Sequence, residues 1–93
     1  MNLKLIRKNI TANTVEEFEF DVPGYEFLVK NNNDFDIFVG FEDSDDTDKM
    51  IKIPEESAQV CIRNKSTGPN NSSKYVYVYA ESAGEVEVQC IKF

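Results

Sequence analysis

Histidine is absent from this 93-residue chain. Its absence removes the usual general base at neutral pH and the commonest zinc ligand. It also rules out any Ser-His or Cys-His nucleophile pair. Cysteine is scarce: Cys61 and Cys90 are the only two. A secreted disulfide scaffold of this length usually carries at least four, and two cysteines alone cannot complete a tetrahedral zinc site. Cys90 alternates onto the strand face of Val86 and Val88, which reads as inward, whereas Cys61 falls opposite Val60 and Ile62. The pair is therefore read as two small hydrophobic thiols rather than a bridge. The four glycines are scattered, so no glycine-rich loop is available to cradle a phosphate.

Positive charge is also in deficit, with 10 basic against 17 acidic residues and a net charge of −7. No basic stripe exists to track a phosphate backbone or an anionic membrane surface, so neither nucleic acid nor membrane is an expected partner. No apolar run is long enough to span a bilayer. The stretch Met1-Asn2-Leu3-Lys4-Leu5-Ile6-Arg7-Lys8 lacks the apolar core and cleavage site of a signal peptide. The expectation is a chain made and kept in a cytoplasm unless it leaves within a larger particle. Paired carboxylates of the glycosidase kind remain as catalytic chemistry. They need a walled cleft that a chain of this size has little room to build, and the protein is read as non-enzymatic.

Apolar residues make up 41% of the chain and occur along nearly all of it. This favours one folded domain, residues 1–93, over a disordered chain. Their period is two almost throughout, which is the strand signal. The pattern predicts strands over 3–10, 15–22, 25–30, 35–42, 49–53, 58–63, 74–80 and 85–93, and no helix. In the second, Phe18, Phe20 and Val22 alternate with Glu17, Glu19 and Asp21. Pro23-Gly24 has type II turn chemistry, whose twist suits a hairpin poorly, so a corner between sheets is the other reading there. Asn31 to Asp34 is a turn. Gly40 marks a bulge or a close backbone approach. Glu81-Ser82-Ala83-Gly84 reads as a hairpin loop with glycine at positive φ. Residues 64–73 are polar and should form the most mobile loop. About seven or eight short strands of this kind mean an all-β antiparallel sandwich, of jelly-roll or immunoglobulin-like type.

Two features stand out from that pattern. The acidic loop Glu42-Asp43-Ser44-Asp45-Asp46-Thr47-Asp48 gathers hard oxygen ligands, so Asp43, Asp45, Asp46 and Asp48 are candidate calcium ligands. Against that, Asp48 and Pro54 occupy the positions where an EF-hand loop needs glycine and glutamate. The plainer reading is a solvated hairpin tip with no cofactor. The second feature is strands with apolar residues on both faces. Tyr75, Tyr77 and Tyr79 oppose Val76, Val78 and Ala80; Phe38 opposes Ile37 and Val39; Ile91 and Phe93 oppose Val88 and Cys90. A two-layer sandwich covers only one face of each sheet. Tyr75, Tyr77, Tyr79, Phe38, Ile91 and Phe93 are therefore candidate interface residues. The competing reading turns the tyrosines inward and the small valines to solvent.

The stretch Phe27-Leu28-Val29-Lys30-Asn31-Asn32-Asn33-Asp34 through Ile37-Phe38-Val39-Gly40-Phe41 adds a different kind of evidence. So does the ending Val76-Tyr77-Val78-Tyr79-Ala80, followed by Ser82-Ala83-Gly84-Glu85-Val86-Glu87-Val88-Gln89. Both resemble small β-sandwich virion proteins of tailed bacteriophages, of the capsid decoration, auxiliary or head-fibre type. Such proteins make contact through broad strand faces and loops, so no signature residue carries over. The resemblance implies a non-enzymatic structural protein in the virion, held in many copies against the major capsid protein, other virion proteins or its own copies. It also implies termini held by the assembly rather than frayed. Two other functions remain open. One is a carbohydrate-binding module with the tyrosine row as its platform, although the chain has no tryptophan. The other is an acidic inhibitor mimicking nucleic acid.

Overall fold

The computed structural model describes residues 5–62 and 73–92. Within them lie eight strands: β1 (Leu5–Ile10), β2 (Glu16–Gly24), β3 (Glu26–Asn31), β4 (Ile37–Gly40), β5 (Ile51–Ile53), β6 (Ser57–Ile62), β7 (Ser73–Tyr79) and β8 (Gly84–Lys92). The expected mobility of residues 64–73, the fixed termini and the interface role of Phe93 fall wholly or largely outside the described residues.

The strands form two four-stranded antiparallel sheets, ordered β1-β8-β3-β6 and β2-β7-β4-β5. Four of the pairings are β1 with β8, β2 with β7, β3 with β6 and β4 with β5. The chain is thus one long antiparallel ribbon with its tip between β4 and β5, rolled so that successive ribbon segments enter alternate sheets. That winding is a jelly roll. An immunoglobulin-type sandwich would keep the first two strands in one sheet, whereas here β1 and β2 lie in different sheets.

Alternation fills the space between the sheets. Phe18, Val76, Val78, Ile37, Val39 and Ile53 come from one sheet, and Phe27, Val29, Cys61, Val86 and Val88 from the other, all buried. Phe20, Phe27 and Phe41 form a chain of rings across the core, with centroids 5.4 and 5.7 Å apart. Cys61 and Cys90 are both buried thiols. Burial pushes the Cys61 thiol up to about 11, which keeps it protonated and unreactive at neutral pH. The strand face of Ala58, Val60 and Ile62 is the exposed one, and Cys61 points inward.

Several connections differ from the sequence expectation. Pro23 and Gly24 belong to β2, whose ladder to β7 shifts register between Glu19 and Gly24. The chain then bends at Tyr25 and enters the other sheet, so this is the corner rather than a hairpin. The 81–84 connection is a second corner, because β7 and β8 lie in different sheets. The φ of Gly84 lies outside the left-handed region. What the position requires is space: a Cβ there would collide with the Asn33 side chain and lie 2.8 Å from the Phe35 ring. The positive φ angles of 56° and 54° belong to Asn13 and Glu56, in the β1–β2 and β5–β6 turns. Strand β4, Ile37–Gly40, is shorter than the predicted 35–42, and its approach is held by side chains. Asn31 donates to the Phe35 carbonyl, and the Asp36 carboxylate accepts from the Glu55 amide.

Asn31 is fully buried at a position in step with the inward residues Phe27 and Val29. Its Nδ2 donates to the carbonyls of Phe35 (2.8 Å), Pro54 (3.1 Å) and Ile53 (3.2 Å). Its Oδ1 accepts from the amide and side chain of Asn33. Asn33 in turn exchanges hydrogen bonds with the Glu85 backbone, and its carbonyl accepts from Glu56. Replacing Asn31 by Ala leaves several of these groups without a partner. Chemical denaturation should show a loss of about 2–4 kcal/mol. Gly84→Ala should cost about 1–3 kcal/mol in the same assay, because the added methyl displaces Asn33 from Glu85.

Candidate interaction faces

Among the described residues, no segment covers the outer face of either sheet. On the β2-β7-β4-β5 sheet that face is aromatic. Val76, Val78 and Ala80 are fully buried, so Tyr75, Tyr77 and Tyr79 point outward, each half-buried. The inward alternative for the tyrosines is excluded, since the phenylalanines and valines already occupy the inter-sheet space. Register sets the neighbours. Glu19 lies across from Tyr75, Glu17 from Tyr77, Tyr77 from Gly40, and Phe38 sits between Tyr79 and Lys52. Met50 packs over Gly40, 3.4 Å from where a Cβ would stand, an ordinary van der Waals contact.

The Tyr75 and Tyr77 rings are stacked, with centroids 6.3 Å apart and planes 22° apart. The Tyr79 hydroxyl donates to Asn13 Oδ1 at 3.4 Å. Partial burial, then the carboxylates of Glu17 and Asp43, hold the Tyr77 hydroxyl above its ordinary ionisation range. The face is thus a row of neutral aromatic rings with carboxylates along one border. At the other border Lys52 pairs with Asp36 at 3.3 Å. Two shallow hollows flank it. One, of about 210 Å³, lies between Phe35, Phe38, Lys52 and Glu81; the other, of about 160 Å³, lies between Phe41, Ser44, Lys49 and Met50. Both are smaller than the roughly 300–1,000 Å³ of ordinary small-molecule sites.

The acidic loop is organised by its own backbone. Thr47–Lys49 is a 3-10 turn whose cap, Asp46, accepts from the Asp48 amide at 3.2 Å, while Ser44 Oγ accepts from the Asp46 amide. Asp46 also lies 3.9 Å from Lys49 Nζ. The candidate ligands Asp43, Asp45, Asp46 and Asp48 are not brought together; among the described residues no three such side chains converge on a cation position.

The outer face of the β1-β8-β3-β6 sheet is divided between charge and apolar surface. One cross-strand row runs Arg7, Glu87, Lys30 and Ala58, and the next runs Leu5, Gln89, Leu28 and Val60. In the first row Glu87 is only 7% exposed and takes both cations, at 2.6 Å from Arg7 and 3.2 Å from Lys30. The ends of the second row, Leu5 (40%) and Val60 (42%), join Ile91 (43%) and Ile62 (55%) as exposed large apolar side chains. The six candidate interface residues are therefore split. Tyr75, Tyr77, Tyr79 and Phe38 share one face, Ile91 lies on the opposite sheet, and Phe93 is outside the described residues. Strand β8 pairs with β1 and β3, so it cannot extend the tyrosine surface.

Two features passed unnoticed in the sequence, though each carried a signal. Asn31 is a polar residue at an inward position, and β6 is an apolar strand without charge. The Arg7 hydrogen bond, then that of Lys30, holds the Glu87 carboxyl below its ordinary value of 4.5. Because its folded value is depressed, Glu87 contributes stability that is complete above about 4.5 and is lost as pH falls through the lower folded value. Glu87→Gln should therefore lower stability at pH 7 and flatten the acid limb below pH 4.5, measured by thermal unfolding across pH. No family model, curated protein or solved structure matches the chain.

Proposed function

We propose that this jelly roll is a non-enzymatic structural protein of a phage virion, decorating or linking capsid components through its tyrosine face. The observation that carries this reading is the outward row Tyr75, Tyr77 and Tyr79 with Phe38, half-buried and uncovered among the described residues. Tyrosine suits contacts that are apolar in the middle and wet at the rim. Glu17, Glu19 and Asp43 around Tyr77 give the partner surface a sign. Arginine or lysine there would meet both the carboxylates and the ring faces. The resemblance to small β-sandwich virion proteins supplies the setting, and many weak copies on a lattice would gain avidity.

A second reading has one observation in its favour. The stacked Tyr75 and Tyr77 rings beside Glu17 and Glu19 combine an apolar platform with hydrogen-bond acceptors, the chemistry that holds a sugar ring. Particles purified by density gradient and quantified by mass spectrometry separate the two. The virion reading expects this chain at a fixed, high ratio to the major shell protein, and that ratio should collapse for a folded Tyr77→Asp variant. Recovery of the native chain only in the soluble fraction, together with binding on a glycan array, would favour the carbohydrate module.

A further inference from the structure

A two-sheet sandwich has four edge strands, here β1 and β6 on one sheet and β2 and β5 on the other. An open edge is a template for another strand, and soluble proteins block it with charge, proline, bulges or shortness. Three of the four edges are blocked in this way. Strand β1 carries Arg7 and the inward-turned Lys8, whose Nζ sits 4.8 Å above the Phe18 ring and reaches the Glu17 carbonyl. Strand β2 carries Glu16, Glu17, Glu19, Asp21 and Pro23 and is irregular in register. Strand β5 is three residues long, contains Lys52 and stops at Pro54. Strand β6 has none of these devices. It is Ser57-Ala58-Gln59-Val60-Cys61-Ile62, six residues in unbroken register with β3, with no charge, no proline and no bulge. Its outward side chains are Ala58, Val60 and Ile62, all exposed.

We propose that β6 is a homotypic docking edge, at which two copies pair antiparallel to make one continuous eight-stranded sheet. Parity selects the register, because directly opposed residues share a face. Pairing Val60 with Val60 of the second copy sets each Ala58 against Ile62 of the other. All outward apolar groups of the two strands then meet. Charge decides the occupant. Each copy carries −7 overall, yet the meeting strands carry none, so a second copy approaches here without the repulsion that β2 would impose. The contact is one strand wide, below the roughly 1,200 Å² of a standard stable interface, so the dimer is reversible.

The inference stands apart from the virion reading, which uses the opposite sheet. Sedimentation velocity on the purified chain should show a monomer–dimer equilibrium that shifts with concentration. Val60→Lys places like charges face to face at the two-fold axis and should weaken dimerisation by about tenfold or more, with little change in thermal midpoint. Val60→Cys under mild oxidation should give a covalent dimer, since opposed strand residues lie about 4.5–5.5 Å apart at Cα, within disulfide reach. Tyr77→Cys should not cross-link. A native chain that stays monomeric at its highest soluble concentration overturns the proposal. So does a Val60→Lys variant that dimerises as the native chain does, or a dimer that cross-links through Tyr77→Cys rather than Val60→Cys. Absence from purified particles would remove the virion assignment and leave this result unchanged.

Discussion

The side-chain amide of Asn31 is the fixed point around which this sandwich closes. It stands where the alternation of β3 calls for an apolar residue, and it reaches the carbonyls of Phe35, Ile53 and Pro54. Through Asn33 the same network takes in the start of β8 and the turn before β6. Three chain segments that cross between the sheets, 31–35, 53–56 and the start of β8, are thus tied together. A buried amide earns its place only when fully satisfied, and here both its donor and acceptor sides are used. Gly84 belongs to the same arrangement, since only a residue without a side chain leaves room for Asn33 against β8.

Charge closes the opposite flank. There β1 and β2 form the open side of the sandwich, and Lys8 bridges it, lying over Phe18 with Glu16 within 4.0 Å. On the neighbouring outer face, Glu87 holds Arg7 and Lys30 together across three strands. These groups neutralise one another locally, so the acidic excess is felt elsewhere, at Glu17, Glu19 and the acidic loop. The surface therefore has two characters: an aromatic face with a negative border, and an aliphatic edge that carries no charge.

This division ties the fold to its proposed use. A rolled ribbon places β7 and β8, adjacent in sequence, on different sheets. Apolar residues that look like one extended interface are then separated by the thickness of the core. Tyr75, Tyr77 and Tyr79 form a surface with Phe38, while Ile91 is exposed on the other sheet, at the irregular end of the β3–β8 ladder. The two proposed docking surfaces therefore differ in chemistry, the first aromatic with an acidic border and the second aliphatic and uncharged.

Periodicity alone was enough to place eight strands and the all-β class, and the inward residues of strands such as β2 whose other face is charged, because alternation is a local property of each strand and burial follows it. The corner at Pro23-Gly24 was also legible, since its turn chemistry conflicts with a hairpin. Which strands pair was not, because ladder hydrogen bonds join residues far apart in the chain and leave no local trace. Tertiary structure therefore decided the jelly-roll order and the separation of Ile91 from the tyrosines. It also decided the outward direction of Val60 and Ile62, for either parity of an uncharged apolar strand reads equally well as core. The roles of Asn31 and Gly84 were settled in the same way: their partners, Pro54, Glu85 and Asn33, are distant in sequence and meet only when the two sheets close.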